Sequence, residues 1–459
     1  MRTSIIKRVA TRHHWDRMMV SFWFAPVLMA LAAVLLAWAM YRLDILIPNE
    51  ALENSHLVLS GTVGELRSYL LFLAGTVLAT ASVVFALLTL PLSTVVAQYG
   101  SRLLRLFLRD RTTKFVLGMF VATFVYCVAA ALSIRPVEVL PDGPQLTATV
   151  GLYLELATFA SLILLVQHIS TMLQAPNIAA AAGAELLDVI NAEFPADIKS
   201  KDDNKAGHEI RPNSEGIPDN LAEKEKESYS VRVTSTGYIQ FIDLDSLLTL
   251  AQEKNLVIHL LHRPGYFVSS GVVVAMVWPA DRVDEKLDRL INRAFQIGNV
   301  RTPTQDVEYA VNQLTEMAVR AMGLNDPFTA MTCLDHLGNG LMKFIRQSEN
   351  GSHYANPESR LHLAAGQVTF ESLLCAAFDM LRHASCNNAK VLLHMLEVID
   401  AIGQESKATE VRQLLLYHVS LIQAESQVGN LIEQDRKSVH RSGEELWKKF
   451  EGVASIYSF

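Results

Sequence analysis

The chain has 459 residues, half of them hydrophobic, and aromatics make up only 8%. The apolar excess is therefore aliphatic, as in helices that face lipid, and exceeds what one globular core absorbs. A formal net charge of −7 offers no basic face for nucleic acid, whose phosphates demand one.

In chain order, four stretches are long enough to cross a hydrocarbon core, which takes ~20 residues of helix. They are Phe22–Met40, Tyr69–Leu92, Phe115–Ile134 and Thr149–Met172. The first follows a polar lead and has no small-residue cleavage site after it, so it reads as a retained anchor. Arg2, Lys7, Arg8, Arg12 and Arg17 precede it, and Arg102, Arg105, Arg109, Arg111 and Lys114 fill the link between the second and third stretches. The other flanks hold only Arg42, Arg67 and Arg135. By the positive-inside rule both termini and everything after Met172 are expected in the cytoplasm. Cys127, Cys333, Cys375 and Cys386 then lie in the membrane or a reducing compartment, and their scatter fits neither a disulfide framework nor a zinc knuckle.

The second stretch has no charge between Arg67 and Arg102, so its helix can outrun the bilayer, and Pro91 removes a backbone donor late in it. Gly75, Ala79, Ser82, Ala86, Thr89 and Ser93 recur at steps of four and three, forming a stripe of small and hydroxylated side chains. Such stripes ordinarily pack helices. The sharper alternative is a hydrated pathway lined by Ser82, Thr89 and Ser93, with Glu155 of the fourth stretch as its ionisable group. Glu155 lies within two turns of the external end, where an interfacial or helix-pairing role is the plainer reading. Gly118 and Ala122 form another small pair in the third stretch. Leu103, Leu104, Phe107 and Leu108 alternate with Arg102, Arg105, Arg109 and Arg111, a pattern suited to an anionic lipid surface.

Pro176–Glu193 continues as an alanine-rich helix, and Pro195–Glu227 is a charged linker. Tyr229–Trp278 switches to strand character. Its strand, Pro-Gly, hydrophobic residue, Gly and second strand resemble half of a barrel-sandwich hybrid, the fold of lipoyl and biotinyl carriers. No lysine falls at a hairpin tip to hold such a cofactor. His259 and His262 are three apart, which in a strand sends them to opposite faces. From Asp281 the pattern is helical almost throughout. Thr302-Pro303-Thr304-Gln305 has the form of a capping box, and residues 348–368 read as turns or a short hairpin.

Within this helical region "RAMGLNDPFTAMTCLDHL" (Arg320–Leu337) gathers Asn325, Asp326, Cys333, Asp335 and His336. Gly323 suits the end of one helix, Asp326 the cap of the next and Pro327 its first turn. Helix-junction architecture is therefore expected there. Should a cytoplasmic ligand exist, Arg301, Asp306, Asn325 and Asp326 are the candidate site.

"SRLLRLFLRDRTTKFVLGMFVATFVY" (Ser101–Tyr126), "HRPGYFVSSGVVVAMVWP" (His262–Pro279), "RTPTQDVEYAVNQLTEMAVRAMGLNDPFTAMTCLDHL" (Arg301–Leu337) and "AFDMLRHASCNNAKVLLHMLE" (Ala377–Glu397) follow in order. Together they resemble the bacterial membrane-protein family called domain of unknown function 2254. The chain departs from it in lacking a Ser-Pro before Asn325-Asp326-Pro327 and in carrying the charged 195–227 segment. The resemblance implies a multi-span inner-membrane protein with a cytoplasmic domain, and no reaction.

The expected architecture is a membrane α-helical region of four spans plus a cytoplasmic α+β region, a small barrel-sandwich-like β unit followed by a helical bundle. The expected divisions are 1–174 for the spans, 175–228 for the helical extension and linker, 229–279 for the β unit and 280–459 for the helices. No G-x-S-x-G, H-E-x-x-H, Walker loop or G-x-G-x-x-G occurs, so no catalytic residue, metal or cofactor is expected. Functionally, two classes remain. One is a homo-oligomeric channel- or transporter-like protein with a cytoplasmic regulatory domain. The other is a membrane-anchored scaffold or sensor whose cytoplasmic helices bind a partner or small ligand.

Overall fold

The structure, a computed structural model, describes residues 23–46, 58–99, 110–134, 144–194, 228–351, 363–365, 368–406 and 408–454. The chain divides into two units, Met1–Ile178 and Ala179–Phe459.

In the first unit the four apolar stretches become α1 (Phe24–Leu46), α2 (Val63–Tyr99), α3 (Arg111–Ser133) and α4 (Gln145–Met172). All four are long and apolar enough to cross a membrane. α2 has 37 residues, about 55 Å at the helical rise, and continues through Pro91 because no charge interrupts it. α3 packs against each of the other three. Its Gly118 lets α1 approach closely, since a Cβ there would fall 2.5 Å from the Met29 sulfur. The expected packing role of Gly118 is thus realised. Leu70, Tyr126 and Ala130 fill the core, while Leu31, Leu35, Trp38, Phe72 and Ile163 point outward. Large apolar groups outside suit a hydrocarbon solvent.

α5 (Ala175–Glu193), most of whose residues belong to the second unit, precedes a region of short strands. These are β1 (Tyr229–Arg232), β2 (Gly237–Ile242), β3 (Val257–Leu260), β4 (Phe267–Val268), β5 (Val273–Trp278), β6 (Phe295–Gly298) and β7 (Leu363–Ala365). The helices α6 (Leu244–Lys254) and α7 (Glu285–Ala294) lie among them. The strands form a four-stranded sheet, β1-β5-β3-β7, and a three-stranded one, β4-β2-β6. Ile239, Leu247, Ile258, Val274 and Ile291 share one core. The barrel-sandwich expectation is corrected here, because the two sheets are small and, among the described residues, no barrel closes. β6 and β7 arise in the stretch expected to be helical or turn-like. β6 follows α7 without a break and pairs antiparallel with β2, and β7 pairs parallel with β3.

The remaining helices are α8 (Val307–Gly323), α9 (Pro327–Gly351), α10 (Phe370–Ala384), α11 (Ala389–Glu405), α12 (Thr409–Val428) and α13 (Glu433–Ala454). α8 packs on α9 and α10, α9 on α11, and α13 on α11 and α12. At the α8–α9 junction the left-handed residue is Asn325, at φ 59°, rather than Gly323. Its side chain makes it the usual second choice to glycine there. The Asp326 carboxylate accepts the Thr329 N–H at 3.1 Å and the Thr329 hydroxyl at 2.5 Å, capping α9. Further along, the chemistry-bearing side chains diverge. Cys333 is fully buried, and that burial pushes its thiol up to about 12. His336 lies under Gly183, where a Cβ would fall 2.6 Å from its Nδ1. Asp335 turns instead to His394 Nε2 at 2.7 Å.

This division of labour is testable in the purified protein. Asp326→Ala should cost about 1 kcal/mol, the usual worth of an N-cap, and lower the thermal midpoint. Asp326→Asn should leave the midpoint nearly unchanged, because the amide oxygen still caps.

Candidate functional site

α4 turns a polar face inward. Thr147, Gly151, Glu155, Thr158 and Ser161 are all buried on it, spaced four, four, three and three. At 1.5 Å per residue the row extends roughly 20 Å. Buried polar groups in a span are expensive unless bonded, and each of the four polar side chains has a partner. Glu155, only 7% exposed, is met by the Thr76 hydroxyl of α2. Thr158 bonds the Leu154 carbonyl at 2.7 Å and Thr123 of α3 at 2.8 Å. Ser161 donates to the Thr158 carbonyl at 2.7 Å. At the start of the helix Pro144 supplies no side-chain cap. Asp44, from the end of α1, does so instead. Its carboxylate accepts the N–H groups of Leu146 and Thr147 at 2.8 and 2.9 Å and the Thr147 hydroxyl at 2.5 Å.

The small-residue stripe of α2 lies on another face of that helix. Gly75, Ala79, Ser82, Ala86, Thr89 and Ser93 are all exposed, and a Cβ added at Gly75 would meet nothing within 4 Å. Ser82 and Thr89 donate to their own helix, at Leu78 and Phe85 carbonyls 3.1 and 2.7 Å away. Among the described residues the stripe therefore packs no helix of the same chain, and Ser82, Thr89 and Ser93 do not join Glu155 in one lining. Glu155 was identifiable from its charge inside an apolar run. Asp44, Thr76, Thr123, Thr147, Thr158 and Ser161 were not singled out, although the 147–151–155–158–161 spacing was there to be read. Of the four basic candidates for anionic lipid, Arg111 is the exposed first residue of α3. Arg102, Arg105 and Arg109 lie outside the described residues.

In the second unit Arg301 and Asp306 meet, while Asn325 and Asp326 sit past the far end of α8. That helix has 17 residues, about 25 Å, so the four do not form one site. Arg301 donates from Nε and Nη2 to the two Asp306 oxygens at 2.8 and 3.0 Å. Asp306, 3% exposed, also caps α8 through the Tyr309 N–H at 2.9 Å. Desolvation pushes its carboxyl up, and the Arg301 charge acts against that. The capping-box expectation is corrected by this arrangement. Residues 303–305 precede the helix, and Gln305 instead brackets the Ile242 backbone, accepting at 2.8 Å and donating at 3.2 Å. Gly265, at φ 93°, presses on the pair so closely that a Cβ would fall 2.1 Å from Asp306 Oδ2. Beside it Arg263 pairs with Glu308 at 2.6 Å. The His262–Pro279 and Arg301–Leu337 blocks therefore meet at a closed double ion pair. Asp306→Ala removes both the cap and the partner of Arg301. A loss of about 2–4 kcal/mol is expected, read as a lowered thermal midpoint, with a smaller loss for Asp306→Asn.

Comparison with known proteins gives a family and no activity. Residues 20–401 match the family model described as "Predicted membrane protein (DUF2254)". An uncharacterized protein of Mycobacterium bovis and one of Mycobacterium tuberculosis are each 25% identical to the chain over 402 residues, 83% of this chain and 72% of the relative. No solved structure matches. With that match and four membrane-length helices, the chain belongs to this family of predicted membrane proteins.

Proposed function

We propose that the protein is an oligomeric channel- or transporter-like protein of the bacterial inner membrane, with residues 179–459 forming a cytoplasmic regulatory region. The observation that carries this reading is Glu155, an ionisable side chain buried midway along the polar face of α4. Ionisable groups inside spans mark ion or proton routes.

The hydrogen bonding around it suits a proton. Thr76 has one hydroxyl hydrogen but faces two acceptors, the Leu73 carbonyl at 2.8 Å and Glu155. With a proton on Glu155, the carboxyl donates to Thr76 and Thr76 donates to Leu73. Without it, Thr76 turns its hydrogen to the carboxylate. The two arrangements differ by one proton and a hydroxyl rotation. Thr123, Thr158 and Ser161 extend the polar face beyond this point.

The outward stripe of α2 supplies the oligomeric part of the reading, since small residues let helices of separate copies approach. The basic flanks support a cytoplasmic second unit. They also give Arg102, Arg105, Arg109 and Arg111 an attraction to anionic headgroups.

Reconstituted vesicles under an imposed proton or cation gradient test this. Flux through the parent protein should be lost in Glu155→Gln with oligomer size unchanged. Ser82→Leu should shift the oligomer size measured by cross-linking. A parent protein without flux, or Glu155→Gln with full flux, overturns the proposal.

A further inference from the structure

Outside the membrane unit, a second group of side chains brings three kinds of metal donor together. Cys375 and Asp379 are one turn apart on α10, so both side chains share a face. His418 of α12 reaches the same point. The Cys375 Sγ lies 3.9 Å from His418 Nε2, and Asp379 Oδ1 lies 3.9 Å from His418 Nδ1. One donor atom from each residue falls within 4.8 Å of the other two. We infer that Cys375, Asp379 and His418 bind a divalent transition-metal ion of zinc's class.

The state of the histidine carries the argument beyond a coincidence of side chains. His418 is 1% exposed, and its buried Nδ1 makes no hydrogen bond among the described residues. A buried ring nitrogen without a partner costs free energy, and a metal ion at Nδ1 removes that cost. The Cys375 thiolate, now 3.9 Å from the other ring nitrogen, turns about its χ1 to join Asp379 on the ion. The 3.9 Å gap to Asp379 is too long for the hydrogen bond that orients a catalytic histidine. It is close to the donor spacing around tetrahedral zinc, about 3.5 Å from metal–ligand distances of ~2.0–2.3 Å.

Local charge points the same way. Glu371 stands one turn before Cys375 on α10, adding a second carboxylate to that side. Arg382 stands 3.8 Å from Asp379, and Glu425 already engages it. A thiolate and a carboxylate on the ion would balance its two charges. Thiolate, imidazole and carboxylate together select a borderline metal over magnesium or calcium, which prefer oxygen alone. Cys375 and Asp379 are both partly exposed, leaving an entry path and a fourth position for water.

The full chain, purified in detergent with a tag free of histidine, tests the assignment through cobalt(II) and zinc(II). One cobalt per chain should bind with a thiolate-to-cobalt charge-transfer band, and zinc should displace it. Cys375→Ser should lose the band, whereas Cys386→Ser, outside the site, should keep it. Zinc should raise the thermal midpoint of the parent protein, because an ion bound only to the folded state stabilises it. That rise should disappear in Cys375→Ser and Asp379→Asn, two variants chosen because neither changes the buried imidazole. Absence of a band in the parent, or a band that survives Cys375→Ser, overturns the assignment.

Discussion

Hydrocarbon offers no hydrogen bonds, so a polar group inside a span must find its partner within the protein. That constraint decides which faces of the four apolar helices turn inward. Their composition is nearly uniform all round, and an aliphatic side chain loses little whether it meets lipid or another helix. Thr147, Glu155 and Thr158 have no such indifference. The face of α4 that carries them is buried because Asp44, Thr76 and Thr123 supply the complementary atoms. Asp44 does this across 102 residues of sequence, tying the end of α1 to the start of α4, where the first N–H groups of a helix need acceptors.

The same logic separates two uses of small residues. Gly118 and Gly151 are packing positions, since a Cβ at either would strike Met29 or Leu70 at 2.5 or 2.9 Å. Among the described residues Gly75 meets nothing within 4 Å of an added Cβ, and its stripe companions are exposed. Spacing alone does not distinguish these cases, because the same four-residue repeat serves contacts within a chain and between chains. The distinction comes from the neighbours of a position, which one helix read by itself does not contain.

This is also the measure of how much was legible. The four spans stood out because length and aliphatic content are properties of a contiguous segment. The cap at Asp326 and the junction at Pro327 were equally readable, their hydrogen bonds closing within three residues. β6 and β7 were not, being three or four residues long and defined by partners far away in sequence. The capping box failed for a related reason. Gln305 has the right identity and spacing for a helix start, but the Ile242 backbone more than sixty residues upstream claims its amide. Arg301 and Asp306 were named within one candidate group, and their pairing explains why the glycine of His262-Arg263-Pro264-Gly265 is required. Asn325 and Asp326, grouped with them from sequence, belong to the other end of the helix.

Closed and open polar contacts divide the molecule more usefully than charge itself. Arg301 with Asp306 and Arg263 with Glu308 complete one another within 3.0 Å, and such pairs hold elements in register. Thr76 is different, with one hydrogen and two acceptors. His418 is different again, with a buried nitrogen that stops 3.9 Å short of the nearest carboxylate. On the readings proposed above, a proton completes the first case, and a cation with affinity for sulfur and nitrogen completes the second. Both lie on rigid helices rather than loops, so relaxation of the surrounding chain does not readily close them. A polar group that the fold buries without completing its bonds is stabilised when a mobile species supplies the remainder. On that argument the proposals made for Glu155 and His418 rest on incomplete bonding, whereas the pairs of Arg301 with Asp306 and Arg263 with Glu308 are framework.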